Sequence, residues 1–575
     1  MKLMWRYVMR YKGWLVLDAI CTLGFALAEL GIPTLISEMI DSGVLAADPS
    51  YLISRFWILV CISVLGVTGT SLLAFVSVKM TTTIAYDIRR DLFEHVFTLS
   101  HAEIEKFGVS SLITRTNNDP FQIMNFLNVM LKWALICPVM LVVSFMLIIR
   151  ANLNLSFIVL ATIPIIVGGV VMVAKWAEPL SVQQQESIDS INRILREDMT
   201  GIRVVRSFNA EKREEARFAK VSKLFETTSE KLFKLMSCSE PAFFFVMNIA
   251  TVLVYYFSCG LLDSGALQIG QLMAFVEYLF HAMMSVLQIC MIFMMYPRAN
   301  VSAKRIEKVL ETKSSLPEPE KPAAMGPLST LEFDNVSFAY PDGEEAVLKD
   351  ISFKAKTGDK IAIIGSTGSG KSTLTKLIPR FYDVSAGSVR VNGRDIRDYS
   401  LEELREQMSV VSQKAHLFKG TILSNVQFGA PEASEEEAQE AARLAQAENF
   451  IQEKPNQWGF EIAEEGTNVS GGQKQRLSIA RALVRKPRLY IYDDSFSALD
   501  LKTDAELRKA IQPLRKNSIF LIIAQRVSTI LDADEIIVLD EGRVAGRGRH
   551  EELLENCEIY REIANSQLAG GESHG

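Results

Sequence analysis

Six stretches of this chain are apolar for about the length of helix that a bilayer core demands. They run approximately from Trp14 to Leu35, Trp57 to Val78, Trp133 to Ile149, Leu155 to Ala174, Ala242 to Leu262 and Ile269 to Tyr296. A hydrocarbon core about 30 Å thick takes about 20 mainly apolar residues as an α-helix. Each stretch therefore predicts a membrane span, and the first is too long for a cleavable signal peptide. All six precede Arg298, yet 22% of the 575 residues are charged, too many for a chain lying wholly in lipid. The length, at roughly 150 residues per domain, also points to several domains.

Orientation follows from Lys and Arg, which are in excess in cytoplasmic connections. Lys2, Arg6, Arg10 and Lys12 precede the first span, and the connections after the second and fourth spans are also basic. The other three connections carry only Arg55 and Arg150. Both termini are thus expected in the cytoplasm. The two basic connections are long and need structure of their own. Ser187 to Arg196 and Glu211 to Leu224 carry helical apolar spacing, so the spanning helices are expected to continue beyond the membrane and turn near Asn117 to Pro120 and Phe208 to Ala210. The net charge of −6 gives no electrostatic footprint for nucleic acid. The seven cysteines show no disulfide or zinc spacing and read as small buried apolar groups.

Past the sixth span a charged helical pattern continues, and then Ser314 to Pro327 collects four prolines with Glu, Lys and Ala, the composition of an extended linker. From Leu331 onward β-rich runs alternate with helical patterns, as in an α/β domain. Gly365, Ser366, Thr367, Gly368, Ser369, Gly370, Lys371, Ser372 and Thr373 follow the apolar run Ile361 to Ile364 and open a helical pattern. This is the strand, glycine-rich loop and helix of a P-loop. Its backbone N–H groups can curl round phosphate oxygens, Lys371 can reach the β- and γ-phosphates, and the Ser372 hydroxyl can sit on Mg²⁺.

Four further features follow in order. Gln413 succeeds the β-rich run Met408 to Ser412, and Val469, Ser470, Gly471, Gly472 and Gln473 open a helix. Leu489 to Asp493 is an apolar strand ending in a carboxylate, and Ser497 to Asp500 comes soon after. Together with the six spans these resemble the ATP-binding cassette, or ABC, family, and in particular an exporter half-transporter. The resemblance implies a six-helix transmembrane domain with long cytoplasmic helical loops, followed by an α/β P-loop cassette. We therefore expect a membrane domain over 1–315, a linker over 316–328, a nucleotide-binding domain over 329–566 and a flexible tail over 567–575. It also implies that Tyr340 stacks on adenine, that Gln413 meets Mg²⁺ and the attacking water, and that Asp493 holds the metal. Ser470, Gly471, Gly472 and Gln473 become the signature that closes on ATP held by another subunit, Asp500 belongs to the loop beside it, and Glu464 resembles the element that senses the membrane domain.

Two positions depart from the family. The strand carboxylate is followed by Asp494, where the family has a Glu that polarises water, and Gln525 stands where it has a His. Aspartate is one C–C bond shorter, roughly 1.5 Å, and a glutamine amide can donate a hydrogen bond but takes up no proton and no positive charge near neutral pH. The pattern resembles the degenerate-site chain of a heterodimeric, multidrug-type exporter in the cell membrane of a bacterium, an ATPase weak or inactive as an isolated chain. Its partners would be a second half-transporter, membrane lipids and a small amphiphilic substrate. A homodimer with two slow sites, an importer of the same architecture and an ATP-gated channel or regulatory subunit remain as alternatives. Charges inside spans are functional candidates, and Asp18, Glu29, Glu277 and His281 are such charges. Glu277 and His281 lie four apart on one helical face and are expected to pair with each other or a partner residue, or to meet a cationic substrate. Met and Phe interleaved through the sixth span suit varied apolar ligands, or simply neighbouring helices and lipid.

Overall fold

The computed structural model describes residues 2–341, 343 and 345–569. The chain divides into two units, one comprising residues up to Phe97 together with Gly108–Thr312, the other Thr98–Phe107 together with the chain from Lys313. The first is helical: α1 (Lys2–Val8), α2 (Lys12–Glu38), α3 (Pro49–Thr98), α5 (Val109–Trp133), α6 (Ile136–Ala151), α7 (Leu153–Thr200), α8 (Ile202–Ser207), α9 (Glu211–Asp263) and α10 (Ile269–Glu311). The intervening α4 (His101–Phe107) belongs to the second unit.

Six helical segments among the described residues are long and apolar enough to cross a membrane. At 1.5 Å per residue, α3 with 50 residues and α9 with 53 are more than twice as long as a bilayer core is thick. Beyond the apolar runs, polar side chains hold helices together. Gln184 donates to the Ser229 hydroxyl at 2.8 Å and Thr228 to the Gln183 side-chain amide oxygen at 3.2 Å, joining α7 to α9. Buried charges are met by hydroxyls: Ser77 donates to Asp18 at 2.9 Å and Ser302 to Asp119 at 2.8 Å.

Asn117 to Pro120, expected as a turn, lies inside α5, where Asp119 and Pro120 are buried. The chain reverses earlier, through Leu99–Ser100 and Gly108, whose φ of 76° suits glycine. The Asn-Asp-Pro signal is overridden because the Asp119 side chain is engaged by α10 rather than by its own backbone. The turn at Phe208 to Ala210 is present, with Asn209 at a φ of 48°. Cys61, Cys238 and Cys259 are exposed rather than buried, while Cys21, Cys137 and Cys557 are enclosed. Outer faces of spans are apolar because lipid is their solvent, so apolar context in sequence does not distinguish inside from outside.

The end of α2 is tied to the start of α10. Asp41 accepts from the backbone N–H of Gly270 at 2.7 Å and of Gln271 at 3.0 Å, satisfying first-turn donors that have no partner within the helix. Gly270 is required here, since an added Cβ would collide with the Ser37 carbonyl oxygen. About two turns on, the Tyr278 and Thr34 hydroxyls meet at 2.6 Å.

The second unit holds strands β1 (Thr330–Phe338), β2 (Leu348–Lys356), β3 (Lys360–Gly365), β4 (Ala386–Val391), β5 (Arg394–Asp395), β6 (Met408–Val411), β7 (Gly420–Thr421), β8 (Glu461–Ile462), β9 (Leu489–Asp493), β10 (Ile519–Ile523), β11 (Glu535–Asp540) and β12 (Arg543–Gly548). Its helices are α11 (Lys371–Leu377), α12 (Leu401–Glu406), α13 (Ile422–Gln427), α14 (Glu435–Leu444), α15 (Glu448–Gln452), α16 (Gly471–Val484), α17 (Leu501–Ile511), α18 (His550–Asn556) and α19 (Glu558–Ala569). The central sheet runs β12-β11-β3-β10-β9-β6, parallel except for β12, and a second, antiparallel sheet runs β2-β1-β4-β5. Both faces of the central sheet are covered. Ile361, Ile363, Leu521 and Ile523 point into the core shared with the antiparallel sheet, and Ala362, Ile364, Phe520 and Ile522 into the core beneath α16. Burial on both faces explains why these strands read as continuous apolar runs. Residues 312–329 form neither helix nor strand. The tail expected from residue 567 starts instead inside α19, where Gln567 donates to the Gln525 carbonyl at 2.7 Å; residues 570–575 lie outside the described residues.

Removing the Asp41 carboxylate should loosen the junction of α2 and α10. Asp41→Ala is expected to cost about 1 kcal/mol, the scale of a lost helix cap. Asp41→Asn, which keeps one acceptor, should cost less. Thermal unfolding of the detergent-purified chain, comparing the two variants, measures the difference.

Candidate functional site

The sheet order sets four carboxyl ends side by side: β3, β10, β9 and β6. The segments leaving them carry, in the same order, the glycine-rich loop, Gln525, the pair Asp493 and Asp494, and Gln413. Crevices at the carboxyl ends of parallel strands are where ligands bind in open α/β sheets. Residues scattered over more than a hundred positions of sequence converge because their strands are neighbours.

The loop from Gly365 to Gly370 is shaped by glycine where no other residue fits. Gly368 and Gly370 have φ of 87° and 97°, and a Cβ on Gly365 would strike the Leu539 carbonyl. Lys371 folds over the loop, its Nζ donating to the carbonyls of Gly365 at 2.8 Å and Ser366 at 2.6 Å. Burial pushes its pKa down, opposed by the nearby Asp494 and Asp493 carboxylates. Asp493 is pushed up by burial, opposed by hydrogen bonds from the Ser372 hydroxyl at 3.3 Å and the Thr375 hydroxyl at 3.4 Å. The hydroxyl of Ser372 and the carboxylate of Asp493 are hard oxygen donors on adjoining elements, the ligand type Mg²⁺ takes beside phosphates.

Asp494 lies past the end of β9 with a φ of 49°, in the left-handed region that Asp tolerates better than most residues. That turn leaves its carboxylate, which is buried, between the neighbouring strand ends. Its Oδ2 accepts from Gln413 Nε2 at 3.1 Å and from Gln525 Nε2 at 2.8 Å. The three side chains singled out by sequence are thus joined to one another.

Tyr340 stands at the loop's other side, its hydroxyl 3.1 Å from that of Thr373 and its ring 5.3 Å from Tyr382. Ser470 caps α16, accepting from the Gln473 N–H at 3.3 Å, while Gln473 Oε1 accepts from the Ser470 N–H at 3.1 Å. Gly471, at the first turn, is exposed with open space where a side chain would be. Asp500 caps α17 through the Thr503 N–H at 3.0 Å. Gly472 approaches the Ala498 carbonyl. Glu464 sits exposed in a tight turn beside Glu465, whose φ is 55°. Within the same unit, Tyr382 donates to Glu105 of α4 at 2.7 Å, and the His101 ring lies 5.7 Å from that of Tyr382.

Two participants escape sequence reasoning. Thr375 lies one turn after Ser372 on α11, a spacing that could have flagged it. Gln567 bonds the backbone of Gln525 and Val527 from the far end of the chain, and no local signal announces it. In the membrane unit, His281 faces Glu29 of α2 at 3.7 Å instead of pairing with Glu277. A neighbouring helix brings a carboxylate to it that helical spacing alone does not reveal.

Six spans in one unit, and in the other a P-loop sheet with adjoining carboxylates, define a membrane protein carrying a P-loop ATPase domain. The family model for the ABC transporter transmembrane region matches residues 15–286, and that for the ABC transporter matches residues 348–497. An uncharacterized ABC transporter ATP-binding protein of Mycobacterium tuberculosis is 35% identical over 572 residues, covering 98% of this chain and 97% of the relative. The ATP-dependent lipid A-core flippase of Haemophilus influenzae is 32% identical over 584 residues, covering 99% and 97%. A solved bacterial Atm1-family ABC exporter with ATP bound superposes with a TM-score of 0.79 at 25% identity, covering 98% of this chain and 99% of that one. The chain belongs to the ABC transporter family. It is a multi-pass membrane protein with the half-transporter fold of ABC exporters, a six-helix transmembrane domain followed by the ABC ATP-binding domain.

Lys371 is the group whose loss the loop cannot replace. Lys371→Ala should weaken ATP binding by on the order of tenfold or more, the scale of losing a charge-assisted phosphate contact. Titration of a fluorescent ATP analogue against the full chain reads this directly, and Tyr340→Leu should cost less.

Proposed function

We propose that this chain is one half of an ATP-driven exporter whose own nucleotide site binds Mg·ATP but hydrolyses it poorly, and which works with a second, different half-transporter. The observation that carries this reading is the engagement of Asp494 Oδ2 by two side-chain amides. A general base must lie within about 2.6 to 3.2 Å of the water it activates. Here the carboxylate is one bond shorter than Glu, and one of its oxygens is already occupied twice. Gln525 can donate a hydrogen bond toward a phosphate but cannot supply positive charge. Ser372, Asp493 and Gln413 would hold Mg²⁺, which, when bound, neutralises phosphate charge. Lys371 and the loop N–H groups would grip the phosphates, and the Tyr340 ring would lie against the adenine.

The signature helix supports the other half of the reading. Ser470, Gly471, Gly472 and Gln473 present the N-terminus of a 14-residue helix, a natural anion site, with nothing covering Gly471. Such a surface would complete a competent site on a partner's cassette. The transported molecules are amphiphilic small molecules or lipids leaving the cytoplasm or inner leaflet, a reading in keeping with the flippase among the relatives. Both termini are cytoplasmic on this reading, following the basic connections.

Two measurements test it. The purified chain alone should bind Mg·ATP with slow turnover, and Asp494→Glu combined with Gln525→His should raise that turnover by about a hundredfold, the low side of what a positioned base contributes. Fast hydrolysis by the unaltered chain would sink the proposal. In the assembled pair, Gly471→Asp sets a carboxylate against the partner's γ-phosphate and should abolish nearly all ATPase activity, whereas Asp494→Ala should leave most of it. Equal loss from both would mean that Asp494 is a working base and the two sites are equivalent.

A further inference from the structure

Two cavities open in succession along α10 in the membrane unit, both bounded by α9. The first, about 480 Å³, is lined by Glu29, Glu277, His281 and Tyr255 together with apolar residues of α2 and α10. The second, about 430 Å³, is lined by α7, α9 and α10 and is dominated by Met and Phe, including Met284, Met291, Phe243 and Phe244. Glu277, His281, Met284, Gln288 and Met291 follow one another at intervals of four, three, four and three residues. That spacing puts them on a single face of α10, a stripe running from the first cavity into the second.

The chemistry changes along the stripe. At the first cavity, two carboxylates face an imidazole and a phenol ring within spanning segments, where ionisable groups are costly and are kept only when something meets them. Glu29 meets His281 at 3.7 Å, but among the described residues Glu277 has no such ion pair, and it is exposed in this chain. Carboxylates beside an aromatic face are the recognition elements for an ammonium or phosphonium group. Among the described residues no group of His, Cys, Asp and Glu has the arrangement of a metal site, and the cavity is far larger than a bare ion. The second cavity supplies flexible thioethers and aromatic faces, a lining that adapts to varied apolar bodies.

We propose that the two cavities form one elongated site for amphiphilic cations, with Glu277, Glu29 and Tyr255 receiving the cationic head and the Met- and Phe-lined cavity receiving the apolar body. The proposal deepens the export reading and rests on it for its purpose, while the lining it uses comes from α2, α7, α9 and α10 of this chain. His281 competes with the ligand for Glu29, so an arriving cation displaces an existing contact at that carboxylate while Glu277 is free to receive it.

The test uses the full chain in phosphatidylcholine nanodiscs, with empty discs subtracted. The probes are radiolabelled tetraphenylphosphonium as the cation and triphenylphosphine oxide as its uncharged counterpart. Glu29→Gln with Glu277→Gln should lower affinity for the cation by on the order of tenfold and leave the neutral probe unchanged. Glu277→Asp should retain cation binding, and His281→Gln should not weaken it. Met291→Trp, which fills the second cavity, should weaken both probes. Displacement of the cation by an added two-chain cationic lipid assigns the site to lipid head groups, and its absence to soluble cations. Unchanged cation affinity in the double variant overturns the proposal, as does equal loss of both probes or no effect of Met291→Trp. Lys371→Ala, deficient in nucleotide binding, should bind the cation normally, so failure of ATP-driven export in vesicles and failure of this site give different results.

Discussion

A bilayer interior offers a peptide group nothing to hydrogen-bond, and the membrane unit is organised around that lack. Each crossing must satisfy nearly all of its backbone itself, so the chain crosses as helices and keeps irregular backbone almost entirely to their ends, the short break between α5 and α6 lying where the third stretch begins. The same scarcity governs the side chains. Asp18, buried within the first span, is met by the Ser77 hydroxyl of α3, and Asp119, buried beyond the spans, is met in the same way by Ser302. Asp41, where α2 ends, spends both oxygens on the first N–H groups of α10. A carboxylate is thereby used twice over, removing unsatisfied donors at a helix start and fixing which two helix ends stay together.

The second unit solves a different problem with a different device. Nucleotide chemistry needs groups of several kinds within a few ångströms, and a parallel sheet delivers one from each neighbouring strand end. The loop after β3 brings glycine-shaped backbone and Lys371, the strand end of β9 offers carboxylates, and the segments after β10 and β6 bring amides. The left-handed turn at Asp494 aims its side chain at those amides. An aspartate suits this backbone conformation, so the short side chain and the local geometry favour one another.

How much of this the sequence disclosed depends on how local each signal is. The spans were legible because a bilayer imposes a length on contiguous apolar residues, and the P-loop because its glycines, lysine and hydroxyl are adjacent. The sequence did not show where the first long connection turns, since Asn117, Asp119 and Pro120 carry a turn's composition while Asp119 answers to Ser302, far away in sequence. Nor did it show that His281 would face Glu29, since helical periodicity relates residues within one helix and says nothing of the next. Tyr340 and Gln413 stood out only through their positions around a recognised loop. Thr375 and Gln567 went unread for opposite reasons, the one overlooked beside a louder motif, the other separated from its partner by 42 residues.

Gln567 has a practical meaning. Through one amide it donates to the carbonyl of Gln525 and accepts the N–H of Val527, so the end of α19 is stitched to both sides of the segment that leaves β10. A fluorophore attached just behind that helix would share its footing with the segment that carries Gln525 beside Asp494. Its brightness or anisotropy would then report movement of that segment, read from outside without touching the crevice.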